Sequence, residues 1–249
     1  MESITSRKNP YIRHLRQLGS DGDYRKQQGE YLCDGIKTLR EAMAFGARVT
    51  SVLWKEKAEA LSGLDCPAQY TAPGELFDYA SPLKNSPGPL FTLAMGGCGK
   101  LGKLKNAIVL ESVQDPGNVG TVIRTANAFG VGAVILTGDC ADPYHPKTVR
   151  ATMGAIFRQP VLQMERGALK AYLADLGLPL YGAALDPAAK DLRELPVKRA
   201  AVAVGSEGRG LSQELLAICK EKLIIPMEPD SESLNAAVAA SVIMWEMAR

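Results

Sequence analysis

Histidine is scarce in this chain and cysteine is scattered. The two histidines, His14 and His145, lie far apart, and the five cysteines (Cys33, Cys66, Cys98, Cys140, Cys219) include no C-x-x-C pair. This argues against a disulfide framework or a zinc site and suits a reducing cytosol. No apolar run approaches the roughly eighteen residues that span a bilayer. The opening Met1-Glu2-Ser3-Ile4-Thr5-Ser6-Arg7-Lys8 lacks the apolar core of a signal peptide. Net charge is also small, +2, so the global balance does not announce a polyanionic partner. These absences predict a cytoplasmic protein without metal or membrane.

What is present is an ordinary globular composition, 46% apolar and 22% charged over 249 residues, enough for one or two domains. The positive charge is clustered. Arg7, Lys8, Arg13 and Arg16 fall in a stretch without acids, Lys100, Lys103 and Lys105 form a second group, and Lys147, Arg150 and Arg158 a third. Such clusters can neutralise phosphates, although each alone is more often a solvated face.

Residues 1–95 read as a small α/β domain. Tyr11, Ile12, Leu15 and Leu18 recur at helical spacing with Arg13 and Arg16 on the other side, Leu39, Ala42 and Met43 mark a second helix, and residues 49–54 look like a strand. Residues 96–105 are rich in glycine and lysine and read as a linker. In residues 106–249, strand candidates at 107–110, 133–136, 180–184, 200–204 and 222–225 alternate with helices near 119–129, 147–153, 167–176, 211–219 and 235–248. That alternation predicts a parallel sheet covered on both faces.

Three segments stand out. The first runs Leu110-Glu111-Ser112-Val113-Gln114-Asp115-Pro116-Gly117-Asn118-Val119-Gly120, with Arg124 beyond. It reads as a strand, a turn and then a helix in which Asn118 could cap free N–H groups and Arg124 flanks the apolar face. The second is Gly205-Ser206-Glu207-Gly208-Arg209-Gly210-Leu211-Ser212 after an apolar strand. Glycines there allow positive φ and close approach of backbone to a ligand. Its G-x-x-G-x-G order is neither the dinucleotide fingerprint nor the P-loop. The third comprises Ile225-Pro226-Met227 and Ser233-Leu234-Asn235, leading into a helix that is apolar almost all round and must be buried on several sides.

Together these segments strongly resemble the SpoU (TrmH-like) family of RNA 2′-O-ribose methyltransferases, a branch of the SPOUT class, in the right order over residues 106–249. Tyr144-His145-Pro146-Lys147 with Arg150 also resembles the family. Thr152 replaces the commoner serine and Trp245 the commoner tyrosine. The resemblance implies a C-terminal SPOUT domain with a trefoil knot. Pattern alone would give an ordinary doubly wound sheet. It implies a ribosomal-protein-like RNA-binding domain ahead of it, S-adenosylmethionine as cofactor, and a homodimer through the C-terminal domain. Gly205, Ile225, Met227, Ser233, Leu234 and Asn235 would hold the cofactor. Arg124, Asn118 and Glu207 would be catalytic, with Glu207 either orienting Arg124 or capping the helix after Leu211. Arg7, Lys8, Arg13, Arg16, Lys147 and Arg150 would meet RNA. Large-subunit ribosomal RNA is the favoured substrate, with transfer RNA and a non-catalytic RNA-binding or ribosome-assembly role as the alternatives. A nicotinamide dehydrogenase is disfavoured because residues 111–120 lack G-x-G-x-x-G.

Guanidinium groups keep their proton in proteins, so an electrostatic role suits Arg124 better than that of a base. Arg124→Ala is expected to leave S-adenosylmethionine affinity nearly intact and to slow methyl transfer by roughly a hundredfold, the scale of a lost transition-state donor. Arg124→Lys should rescue little. Single-turnover kinetics beside calorimetry checks this, and full activity in the alanine variant would remove Arg124 from the chemistry.

Overall fold

The computed structural model describes residues 1–56, 61–96, 104–228 and 232–249, so most of the expected linker lies outside the described residues. Two units emerge: residues 1–98 with 142–157, and residues 99–141 with 158–249.

The first unit is built on a mixed sheet of β1 (Glu2–Ser3), β2 (Glu30–Asp34), β3 (Val49–Lys55), β4 (Ala68–Ala72) and β5 (Leu90–Ala94), in the order β1-β4-β3-β5-β2. Its first helices are α1 (Pro10–Ser20), α2 (Gly22–Gln28), α3 (Ile36–Ala44) and α4 (Gly74–Ala80). α1 starts where Asn9 accepts the Tyr11 N–H at 2.8 Å and Pro10 supplies a preset first turn. Its Ile12, Leu15 and Leu18 are fully buried against Leu32, Leu53 and Phe77, while Arg13 and Arg16 stay exposed, as the helical spacing predicts. β4 and α4 occupy a stretch whose sequence carries no clear periodic signal.

Among the described residues the second unit holds seven strands, all parallel: β6 (Ala107–Glu111), β7 (Ala133–Thr137), β8 (Val161–Gln163), β9 (Leu180–Ala183), β10 (Lys190–Asp191), β11 (Ala201–Val204) and β12 (Glu221–Ile224). Their order is β10-β12-β9-β11-β6-β7-β8, which places β11 between β9 and β6. In chain order the helices are α5 (Pro116–Phe129), α6 (Pro146–Ala151), α7 (Arg166–Asp175), α8 (Gln213–Ile218) and α9 (Ala236–Ala248), of which α6 belongs to the first unit. One sheet face carries Val109, Ile135 and Ala203, packed with Leu169 and Leu173 of α7 and Leu215 of α8. The alternate residues Ile108, Val134 and Val202 are buried on the other face, where α5 packs on β7 and α9 on both β11 and α5. The α/β class and the covered parallel sheet match the sequence expectation. The edge strands β8 and β10 are too short to give a run of their own. Among the described residues no helix is long and apolar enough to cross a membrane.

Residues 142–157 join the first unit through a buried arginine. Arg25 is 2% exposed; its Nε and one terminal nitrogen donate to Asp142 at 2.9 and 2.6 Å, and the other donates to the Leu18 carbonyl at 2.6 Å. Asp142 also accepts the Tyr144 N–H at 2.9 Å, and the Tyr144 ring lies 4.8 Å from that of Tyr31. Lys147 and Arg150 therefore belong to the same unit as Arg7, Lys8, Arg13 and Arg16. Arg25→Ala would leave a half-buried carboxylate and a carbonyl without their donor. It is expected to cost about 3 kcal/mol, since removing one partner strands the other charge. Chemical denaturation of the full chain checks this, and a loss under about 1 kcal/mol would show the pair to be idle.

Candidate functional site

The glycine loop follows from a steric requirement. A Cβ on Gly205 would lie 2.1 Å from the carbonyl carbon and oxygen of Gly210 and 2.5 Å from the Leu211 nitrogen. The loop closes on its own start: the Gly210 N–H donates to the Ser206 carbonyl at 2.8 Å, and Gly210 takes the left-handed conformation at φ 64°. Of the glycines in this loop, Gly210 takes the positive φ and Gly205 does not. Glycine is needed there because backbone crosses over it, so replacing Gly205 by valine would displace the loop rather than report on a ligand contact.

The loop ends on a buried carboxylate that sequence reasoning passes over. Glu111, at the end of β6 and 1% exposed, accepts from the Ser212 backbone N–H and hydroxyl, both at 2.7 Å, and from Arg166 Nε at 2.5 Å. Ser212 in turn caps α8 by accepting the Leu215 N–H at 3.1 Å. The Glu111 bond pushes the Arg166 guanidinium still further up in pKa. The only sequence hint is an acid at the end of an otherwise apolar strand.

Three polar side chains meet beside this loop. Asp115, not Asn118, caps α5: it accepts the Asn118 N–H at 2.8 Å, and the helix begins at Pro116, three residues before the expected start. The Asn118 side chain is thereby released. Its amide nitrogen donates to Glu207 Oε1 in a short contact. Asn235 Nδ2 donates to Asn118 Oδ1 at 3.2 Å and to Glu207 Oε1 at 3.4 Å. Asn235 Oδ1 meanwhile caps α9 by accepting the Ala237 and Val238 N–H groups at 3.0 and 3.3 Å. Glu207 thus neither caps α8, which Ser212 does, nor bonds Arg124. Arg124 is exposed on α5 and makes no hydrogen bond or ion pair among the described residues.

A cavity of about 400 Å³ opens on the loop. Gly205, Ile225, Met227, Ser233 and Leu234 all line it, as does Glu207, with Leu211, Leu216 and Leu223 supplying apolar wall. Ala183 to Leu185 at the end of β9, and Arg209, also line it, and nothing in their local pattern singles them out. The volume and the apolar walls with a few polar groups suit a small organic ligand. Beneath it, Cys219 faces Gly182, and burial pushes its thiol up to about 11, so it stays protonated near neutrality. No group of three or more His, Cys, Asp or Glu able to hold a metal occurs among the described residues.

In the first unit, the guanidinium carbons of Arg7 and Arg16 lie 4.6 and 4.1 Å from the Tyr79 ring centre, and Arg16 donates to the Tyr79 carbonyl at 2.8 Å. Arg13 donates to the Lys8 carbonyl at 3.1 and 2.6 Å. Lys147 and Arg150 are exposed on α6.

Known proteins resemble this chain along its whole length. The sequence model of the SpoU rRNA Methylase family matches residues 105–245. An uncharacterized tRNA/rRNA methyltransferase of Synechocystis is 35% identical over 99% of this chain and 93% of its own. The 23S rRNA (guanosine(2553)-2′-O)-methyltransferase RlmP of Bacillus subtilis is 31% identical over 99% of each chain. The crystal structure of the SpoU methyltransferase AviRb from Streptomyces viridochromogenes, in complex with AdoMet, shares the fold at a TM-score of 0.88. It covers 97% of this chain and 98% of its own at 23% identity.

The Glu111 anchor is open to test. In Glu111→Gln a single carbonyl oxygen cannot accept both Ser212 groups while facing Arg166. Exchange of the Ser212 amide is expected to quicken by about tenfold or more, equivalent to 1.4 kcal/mol of lost local protection. Hydrogen exchange reads it directly, and an unchanged rate would show that the loop holds itself.

Proposed function

The chain belongs to the SpoU rRNA Methylase family, and we propose that it transfers a methyl group from S-adenosylmethionine to a ribose 2′-hydroxyl of RNA, with 23S ribosomal RNA as substrate. The observation that carries this is the meeting of Asn118, Glu207 and Asn235, one from each of three distant segments, beside a cavity lined by Gly205, Ile225, Met227, Ser233 and Leu234; Asn235, the sixth expected cofactor residue, joins the polar cluster instead of the lining. The full-length similarity to a 23S rRNA 2′-O-methyltransferase supports the choice of RNA.

When bound, S-adenosylmethionine supplies an electrophilic methyl group on a sulfonium. The chain's task is then alignment and charge accommodation. Leu211, Leu216, Leu223, Ile225 and Leu234 exclude water from the apolar part of the cavity, while Met227 and Ser233 complete its wall. Glu207 fixes the Asn118 and Asn235 amides at the mouth, where they orient the ribose. Arg124, exposed and without an internal partner among the described residues, is available to grip the adjacent phosphate and to stabilise negative charge developing on the 2′-oxygen.

The remaining assignments follow the same reading. Residues 106–249 form the methyltransferase domain, of which 142–157 group with the first unit. The placement of β11 between β9 and β6, with α9 returning onto β11 and α5, supports a trefoil knot in this domain. Residues 1–95 present Arg7, Lys8, Arg13 and Arg16 to RNA phosphates, joined by Lys147 and Arg150. Val238, Val242 and Trp245 form an exposed apolar stripe on α9, with the Phe129 ring edge-on to Trp245; a second copy of the chain covers it, giving a homodimer in the cytoplasm.

Purified protein should incorporate labelled methyl from S-adenosylmethionine into 23S rRNA, leaving one phosphodiester resistant to alkali because the 2′-oxygen is blocked. Label on a base, or label confined to transfer RNA, would contradict the proposal.

A further inference from the structure

Arg209 occupies a distinctive position. Among the described residues lining the cavity it is the sole cation, and Glu207 is the sole anion. Glu207 is already engaged by Asn118 and Asn235, and among the described residues no ion pair joins it to Arg209. Arg209 lies between Gly208 and Gly210 on the outer turn of a loop closed by the Ser206 and Gly210 backbone, exposed and with no hydrogen bond or ion pair among the described residues. The apolar walls can take adenine and the alkyl part of the cofactor. They offer nothing to its carboxylate, whose charge would be costly to leave against an apolar surface.

We propose that Arg209 holds the α-carboxylate of the methionine tail through its guanidinium fork, setting which end of the ligand faces the loop. The fork matches a carboxylate in a bidentate manner, and the pinned loop brings it to the cavity rim with little further ordering. This rests on the reading of the cavity as the S-adenosylmethionine site.

The test compares two ligands on the full-length protein by calorimetry. S-adenosylmethionine carries the carboxylate; 5′-methylthioadenosine keeps the adenosine and sulfur and lacks the amino-acid tail. Because Arg209 is exposed and unbonded among the described residues, Arg209→Gln should fold normally, which circular dichroism verifies. The variant is expected to bind S-adenosylmethionine about five- to tenfold more weakly, the scale of a charge-assisted pair discounted for solvent. Its affinity for 5′-methylthioadenosine should stay within about twofold of wild type, because that ligand has no carboxylate for the guanidinium to hold. Arg209→Lys should fall between, because a point charge replaces the fork. Equal weakening of both ligands, or of neither, overturns the assignment. An unchanged S-adenosylmethionine affinity with a raised KM for RNA overturns it too and gives Arg209 to an RNA phosphate. If the wild-type protein binds neither ligand, the cofactor reading itself falls, and this inference with it.

Discussion

An exposed carboxylate on a glycine loop has no fixed position unless something donates to it. Glu207 finds two amide donors, Asn118 at the start of α5 and Asn235 at the start of α9. The donors lie 89 and 28 residues away in the chain. Bonds of this kind contribute about 1.5–3 kcal/mol when sheltered and less where water competes, as here. Their main effect is geometric. Once Glu207 is placed, the entrances of α5 and α9 and the loop after β11 share one register, and the cavity acquires a defined mouth.

That arrangement depends on two supports away from the cluster. Backbone crossing over Gly205 forces the loop to turn back, because no side chain fits between Gly205 and Gly210. Glu111 then fixes the far end at Ser212, using a buried acid with three donors to join β6, α7 and the cap of α8. A buried carboxylate survives only with that degree of satisfaction. The capping residues complete the frame: Asp115 takes the α5 cap and frees Asn118, while Asn235 uses its oxygen for the α9 cap and its nitrogen for the cluster.

Much of this is legible in the sequence because it depends on local pattern. Apolar runs mark β6, β7, β9, β11 and β12, and the segments around Asn118, Gly205 and Leu234 mark the cavity. What stays hidden depends on long-range pairing. Asparagine at a helix entrance usually caps it, so pattern points Asn118 to that role, yet the competing Asp115 three residues earlier takes it. Pattern marks Gly205 as conformationally special, whereas its constraint is steric and comes from Gly210. Arg25 lies in an unremarkable polar helix, and its partner Asp142 is 117 residues away, beyond the reach of any periodicity. Glu111 looks like a strand terminus. Leu185 and Arg209 reach the cavity only because β9 lies next to β11 and the glycine loop folds over the gap.

If Asn118 and Glu207 act as one unit, a double-mutant cycle on the methyl-transfer rate will show it. Wild type, Asn118→Ala, Glu207→Ala and the double variant would be compared in single turnover with saturating S-adenosylmethionine and RNA, each rate read as a barrier change. A single unit predicts that the double variant loses little beyond the worse single, with a coupling of at least about 1 kcal/mol. Strictly additive losses would mean that the two side chains work independently, and the cluster would not be what organises the site.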